Sequence, residues 1–114
     1  MTTASAFDYS AALARADAEI VAIIGEDFLG LVPADLDDMR RAAAARDHDA
    51  LGRLAHTYKG LAGNFGAHPL VDAALALQNA CRNGSFGAEH LAAVERELGA
   101  LCAALRAHLK LGPG

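Results

Sequence analysis

Apolar residues recur at steps of three and four along most of this chain. That is the period of one face of an α-helix, not of a strand. The cleanest run is Leu91, Val94, Leu98, Leu101, Leu105 and Leu109, which predicts a helix from Ala88 to Leu109. Leu51, Leu54, Tyr58, Leu61 and Phe65 predict another from Asp49 to Asn64, with Asp47 placed to cap it. Ile20, Ile23, Ile24, Phe28, Leu31 and Val32, continued by Leu36 and Met39, mark a long stretch from Asp17, a plausible N-cap, to Ala45. Pro33 falls inside that stretch. Proline kinks or breaks a helix interior, so the segment reads as one kinked helix or as two helices abutting at Pro33. A further helix spans Leu70 to Arg82 and ends at Asn83-Gly84-Ser85, where Gly84 supplies a left-handed cap. Phe7–Arg15 reads as a brief extra helix at the start.

No strand pattern competes. Alanine, the best helix former, makes up roughly a quarter of the chain. Leucine and alanine suit closely packed helices better than a sheet, which favours β-branched and aromatic residues. Short loops between long helices make neighbours antiparallel. The expected fold is all-α: an antiparallel up-down four-helix bundle with a short extra N-terminal helix. The 114 residues suffice for one domain, structured over residues 7–110, with 111–114 as a frayed tail. The Met1 start and the full helix set lean towards a stand-alone protein.

The formal net charge is −4, and no basic patch offers a grip on nucleic acid or on anionic lipid. No apolar stretch reaches the ~20 residues of a membrane helix, and Met1–Tyr9 lacks the build of a signal peptide. A cytoplasmic location is expected. Cys81 and Cys102 have no zinc spacing and form no disulfide framework; they read as small buried hydrophobes in a reducing compartment. Asp35, Asp37 and Asp38 read as a solvated face. His48, His68, His90 and His108 sit in polar or terminal contexts and read as solvated.

The most informative segment is Leu54-Ala55-His56-Thr57-Tyr58-Lys59-Gly60-Leu61-Ala62-Gly63-Asn64. On a helix, His56 lies two residues from both Leu54 and Tyr58 and so turns away from the core. It shares its outward face with Gly52, Lys59, Gly60 and Gly63. A glycine inside a helix costs about 0.5–1 kcal/mol relative to alanine, yet three surround one histidine in a chain rich in alanine. The gain is a bare patch that lets another protein's recessed site reach the imidazole. A free imidazole titrates near ~6.5 and is a competent nucleophile at neutral pH. A phosphoryl group on the ring carries about −1.5 to −2 charge, which the Lys59 ammonium helps to hold.

These residues resemble the signature of the histidine phosphotransfer (HPt) family, His-x-x-Lys-Gly, here His56-Thr57-Tyr58-Lys59-Gly60. The likeness continues through Leu61-Ala62-Gly63-Asn64-Phe65-Gly66-Ala67, and the helix layout extends it over nearly the whole chain. The resemblance implies that His56 is phosphorylated on Nε2, that Lys59 supports the phosphoryl group, and that Gly60 leaves room for the partner. It also implies that Gln78, on the next helix, bonds Nδ1 of His56 through its amide oxygen, and that Arg82 faces the partner. Gly52, Ala55, Leu61, Ala62 and Gly63 are candidates for the docking patch, joined by parts of the helix that begins at Asp17.

The chain has no G-x-x-x-x-G-K-[ST] loop and no carboxylate cluster suited to magnesium. It is therefore expected to act as a carrier without a cofactor of its own, and not as an enzyme. The resemblance names its partners as response-regulator receiver domains, which bring the acceptor aspartate and Mg²⁺, and a hybrid or sensor histidine kinase. A monomer suits an exposed acceptor. The alternative is a docking module of the same fold that never carries phosphate, but such a module need not keep His56, Lys59 and Gly60. A metal-binding bundle is disfavoured because no histidine has a Glu-x-x-His or i, i+4 ligand partner. A purely structural bundle leaves the glycines unexplained.

Overall fold

The computed structural model describes residues 18–109. Four helices and no strand make up the described residues: α1 (Ala18–Ala44), α2 (His48–Asn64), α3 (His68–Asn83) and α4 (Ala88–His108). The expected Phe7–Arg15 helix, the Asp17 cap and the 111–114 tail lie outside the described residues.

The α1 helix runs through Pro33 as a single element. A proline inside a helix costs ~3 kcal/mol. Phe28, Val32 and Met39, on either side of it, are all buried, and each such burial returns about 1.5–3 kcal/mol. Packing of one continuous face therefore outweighs the lost hydrogen bond. Of the two readings left open by the sequence, one helix holds.

The three turns between helices share one construction. Arg46, Gly66 and Gly84 each adopt a positive φ, of 56°, 65° and 71°. The residue after each closes a hydrogen bond to a carbonyl five positions back: Asp47 to Ala42, Ala67 to Ala62, and Ser85 to Ala80, at 2.8–3.0 Å. This pattern satisfies helix-end carbonyls and reverses the chain. Asp47 also caps α2, its Oδ1 accepting from the Ala50 amide at 3.1 Å. The α3 helix starts at His68, two residues before the sequence expectation, with Pro69 in its first turn, where the missing N–H costs nothing.

Residue pairing shows that α2 and α3 run antiparallel. Gly52 lies against Cys81, while His56, further along α2, meets Gln78, further back on α3. The pair α2–α3 has the most extensive packing; α4 packs on α3, and α1 bridges α2 and α4. The core of α2 differs from the expected stripe. Leu51, Tyr58 and Phe65 are buried as expected, but Ala55 and Ala62 are buried with them, and Leu54 and Leu61 are half-buried at its edge. The small alanines take the centre of the buried face, and the leucines are displaced to its flank.

Aromatic contacts set α1 on α2. The Phe28 ring meets Tyr58 and Phe65 edge-on, with centroids 5.8 and 5.3 Å apart, a geometry favoured by the ring quadrupoles. The Tyr58 hydroxyl donates to Asp35 Oδ2 at 2.6 Å. Burial first, then the hydrogen bond and negative charge of Asp35, push the phenol far above its ordinary pKa. Asp35 is thus half-buried and engaged, not part of a solvated face, while Asp37 and Asp38 are exposed and pair with Arg40 and Arg41.

Candidate functional site

The α2 helix carries His56 outward. Its inner face, Leu51, Ala55, Tyr58 and Ala62, is fully buried, which fixes the helix's rotation and leaves His56 exposed. The Gln78 Nε2 atom of α3 stands 3.2 Å from His56 Nδ1. The Gln78 Oε1 atom is buried with no hydrogen-bond partner. One ring nitrogen is therefore engaged by the neighbouring helix.

His56, Gln78, Gly52 and Arg82 line one groove of about 590 Å³ between α2 and α3. Arg53, which the sequence reading did not single out, lines it too, as do His48 and Cys81. Burial raises the Cys81 thiol pKa, so it stays protonated and does not compete with the imidazole as a nucleophile. Lys59, Gly60 and Gly63 lie past His56 on α2, outside this groove.

The three glycines divide into two groups. A Cβ on Gly60 or Gly63 would meet nothing within 4 Å, so both leave open surface next to His56. Gly52 faces inward: a Cβ there would lie 3.6 Å from Cys81 Cβ, an ordinary contact against α3. Ala55 is a correction. Expected in the docking patch, it has no exposed surface, because it lies on the buried face of α2. Ala62 is buried in the same way.

Two of the other histidines also depart from expectation. The His90 Nδ1 atom accepts from the Gly87 amide at 3.0 Å, capping α4 with a side chain three residues on. The rings of His48 and His90 flank Phe86, with centroids 5.7 and 6.3 Å away. Both histidines are half-buried, and Nε2 of His48 is buried without a hydrogen-bond partner. Phe86 in the α3–α4 turn draws them in, and no periodicity in the sequence marks that contact. Among the described residues, no three His, Cys, Asp or Glu side chains gather as a metal site.

A family model described as Hpt domain matches residues 24–109. The fold is similar to the crystal structure of histidine-containing phosphotransfer protein B (HptB) from Pseudomonas aeruginosa PAO1. The TM-score is 0.85 and the identity 20%, with 97% of this chain and 100% of that chain covered. At that identity the likeness is one of fold. No curated protein matches the chain.

Proposed function

The chain belongs to the Hpt domain family, whose members pass phosphoryl groups through a histidine in two-component phosphorelays, and we propose that His56 is the residue that carries the group here. The observation that carries this reading is an exposed imidazole whose Nδ1 is met by Gln78, beside glycines that leave open surface.

Members of the family are phosphocarriers, not catalysts, and they work with receiver domains and histidine kinases. In the proposed step, the lone pair on His56 Nε2 attacks the phosphorus of a receiver's aspartyl phosphate. An N–P bond forms, the acyl O–P bond breaks, and the aspartate leaves as a carboxylate. The reverse step returns the group to a second receiver. Phosphoryl transfer needs alignment and charge stabilisation more than covalent chemistry. Lys59, one turn beyond His56, brings a positive charge to the bound group. The receiver brings the carboxylate and the Mg²⁺.

Gln78 selects the tautomer. The two ends of a carboxamide are alike in shape, so it can face Nδ1 with nitrogen or with oxygen. With nitrogen, Nδ1 accepts, the ring proton sits on Nε2, and that atom is no nucleophile. With oxygen, Nδ1–H donates and the Nε2 lone pair is free. The second arrangement is the one competent for transfer, and it gives the now unpartnered Oε1 a donor.

Gly60 and Gly63 admit the receiver's surface, with Gly52 and Arg82 beside the groove. An exposed acceptor suits a monomer. No helix of the described residues is long and apolar enough to cross a membrane. Incubation with a phosphorylated receiver domain and labelled phosphate tests the reading. Acid-labile, base-stable label on the wild type and none on His56→Gln is the expected result. Equal label on both proteins would falsify the assignment of His56.

A further inference from the structure

We propose that Arg53, with Arg82, makes the groove beside His56 a seat for a carboxylate of the docking receiver domain. Arg53 then sets the affinity of docking, not the rate of the chemical step. The inference rests on the reading of His56 as phospho-acceptor.

Arg53 precedes His56 by three residues on α2, a spacing that makes their side chains neighbours. It lines the groove of about 590 Å³ together with His56, Gln78 and Arg82. Arg82 comes from α3, so guanidinium groups on two helices border one concavity. A single carboxylate, Asp49, shares that lining. Arg53 also borders a smaller recess with Asp38, but Asp38 pairs with Arg41. Elsewhere Arg40 and Arg96 are engaged by acidic residues. Among the described residues, no ion pair engages Arg53 or Arg82.

The whole chain carries a net charge of −4, so a groove with two arginines and one aspartate stands out as locally positive. Guanidinium groups bind carboxylates through two parallel hydrogen bonds. The location separates this seat from the transferring phosphoryl group. Gln78 lines the groove and meets His56 Nδ1, whereas the phosphoryl group travels on Nε2, the other ring nitrogen. Lys59 lies outside the groove. The arginines therefore meet the receiver's surface outside the reacting centre, where a carboxylate is the group that paired guanidinium groups fit.

The test measures transfer rate against the concentration of a phosphorylated receiver domain, at low and at raised salt. Wild type, Arg53→Ala, Arg53→Lys and Arg53→Glu are compared, with circular dichroism to establish that each is folded. Arg53→Ala is expected to raise the half-saturating concentration about three- to tenfold at low salt, with an unchanged maximal rate and a weaker salt dependence. Arg53→Lys is expected to fall between, and Arg53→Glu to be the weakest. Saturation by Arg53→Ala at the wild-type concentration overturns the inference. A lower maximal rate at unchanged half-saturation overturns it too, because that result puts Arg53 on the phosphoryl group. Wild type that takes up no label sinks the His56 reading and this inference with it; label on wild type with an unaffected Arg53→Ala sinks this inference alone.

Discussion

The Gln78 carboxamide reaches across from α3 to within 3.2 Å of Nδ1 of His56 on α2. On the proposed reading, this contact between two helices selects which ring nitrogen holds the proton. Replacing Gln78 by leucine keeps much of the volume and removes the hydrogen bond. A hydrogen bond of this kind contributes about 0.5–1.5 kcal/mol, so phosphoryl uptake is expected to slow by about two- to thirteenfold. Nitrogen-15 spectra of the ring provide a direct check: the wild type should favour the Nδ1–H tautomer, and Gln78→Leu should shift towards the mixture of free imidazole. An unchanged tautomer ratio in the variant would show that Gln78 does not select it.

His56→Gln should abolish phosphoryl acceptance while leaving the fold intact. The side chain is exposed, and exposed substitutions away from special features usually change stability by less than about 0.5 kcal/mol. Thermal unfolding followed by circular dichroism measures this. A large fall in Tm would mean that the imidazole supports the α2–α3 contact as well as the chemistry.

Gly60 has open space where a side chain would stand, and it lies within α2. Gly60→Ala should therefore stabilise the protein by about 0.5–1 kcal/mol, seen as a raised unfolding midpoint. Gly60→Glu should leave the helix folded yet reduce transfer on the order of a hundredfold, since a bulky anion there opposes an acidic partner. Transfer by Gly60→Glu at the wild-type rate would remove the case for a bare docking surface.

Helix positions were legible in the sequence because the apolar period is local, and so was the outward direction of His56, which follows from its offset to Tyr58. Features that depend on how two helices rotate against each other were not. Nothing in the spacing of α2 says that Ala55 and Ala62, and not Leu54 and Leu61, are the fully buried residues. Asp35 and Tyr58 are separated by 23 residues, and their meeting depends on how α1 lies across α2. The same holds for Phe86 between His48 and His90. Pro33 left two readings open because the deciding term, burial on both sides of it, is tertiary. Gln78 was found only through the family resemblance, and Arg53 became visible only once α2 and α3 enclosed a groove.

Tyr58 should make the fold sensitive to alkali. Its hydroxyl bonds Asp35 at 2.6 Å, and its pKa is raised by burial first and by Asp35 second. The folded protein therefore favours the protonated phenol. That contribution is whole below the unfolded tyrosine's pKa of about 10 and is lost as pH rises beyond it. Urea midpoints should hold steady near neutrality and fall above about pH 10. Tyr58→Phe keeps the ring packing against Phe28 but deletes the donor, and should destabilise by roughly 1–2 kcal/mol at neutral pH. The variant leaves the other tyrosine, Tyr9, in place, so the comparison isolates the Tyr58 share. Its midpoints should fall less steeply above pH 10 than those of the wild type. Parallel alkaline profiles for the two proteins would show that the Tyr58–Asp35 bond does not govern the response, and would leave the ring contacts with Phe28 as what sets α1 on α2.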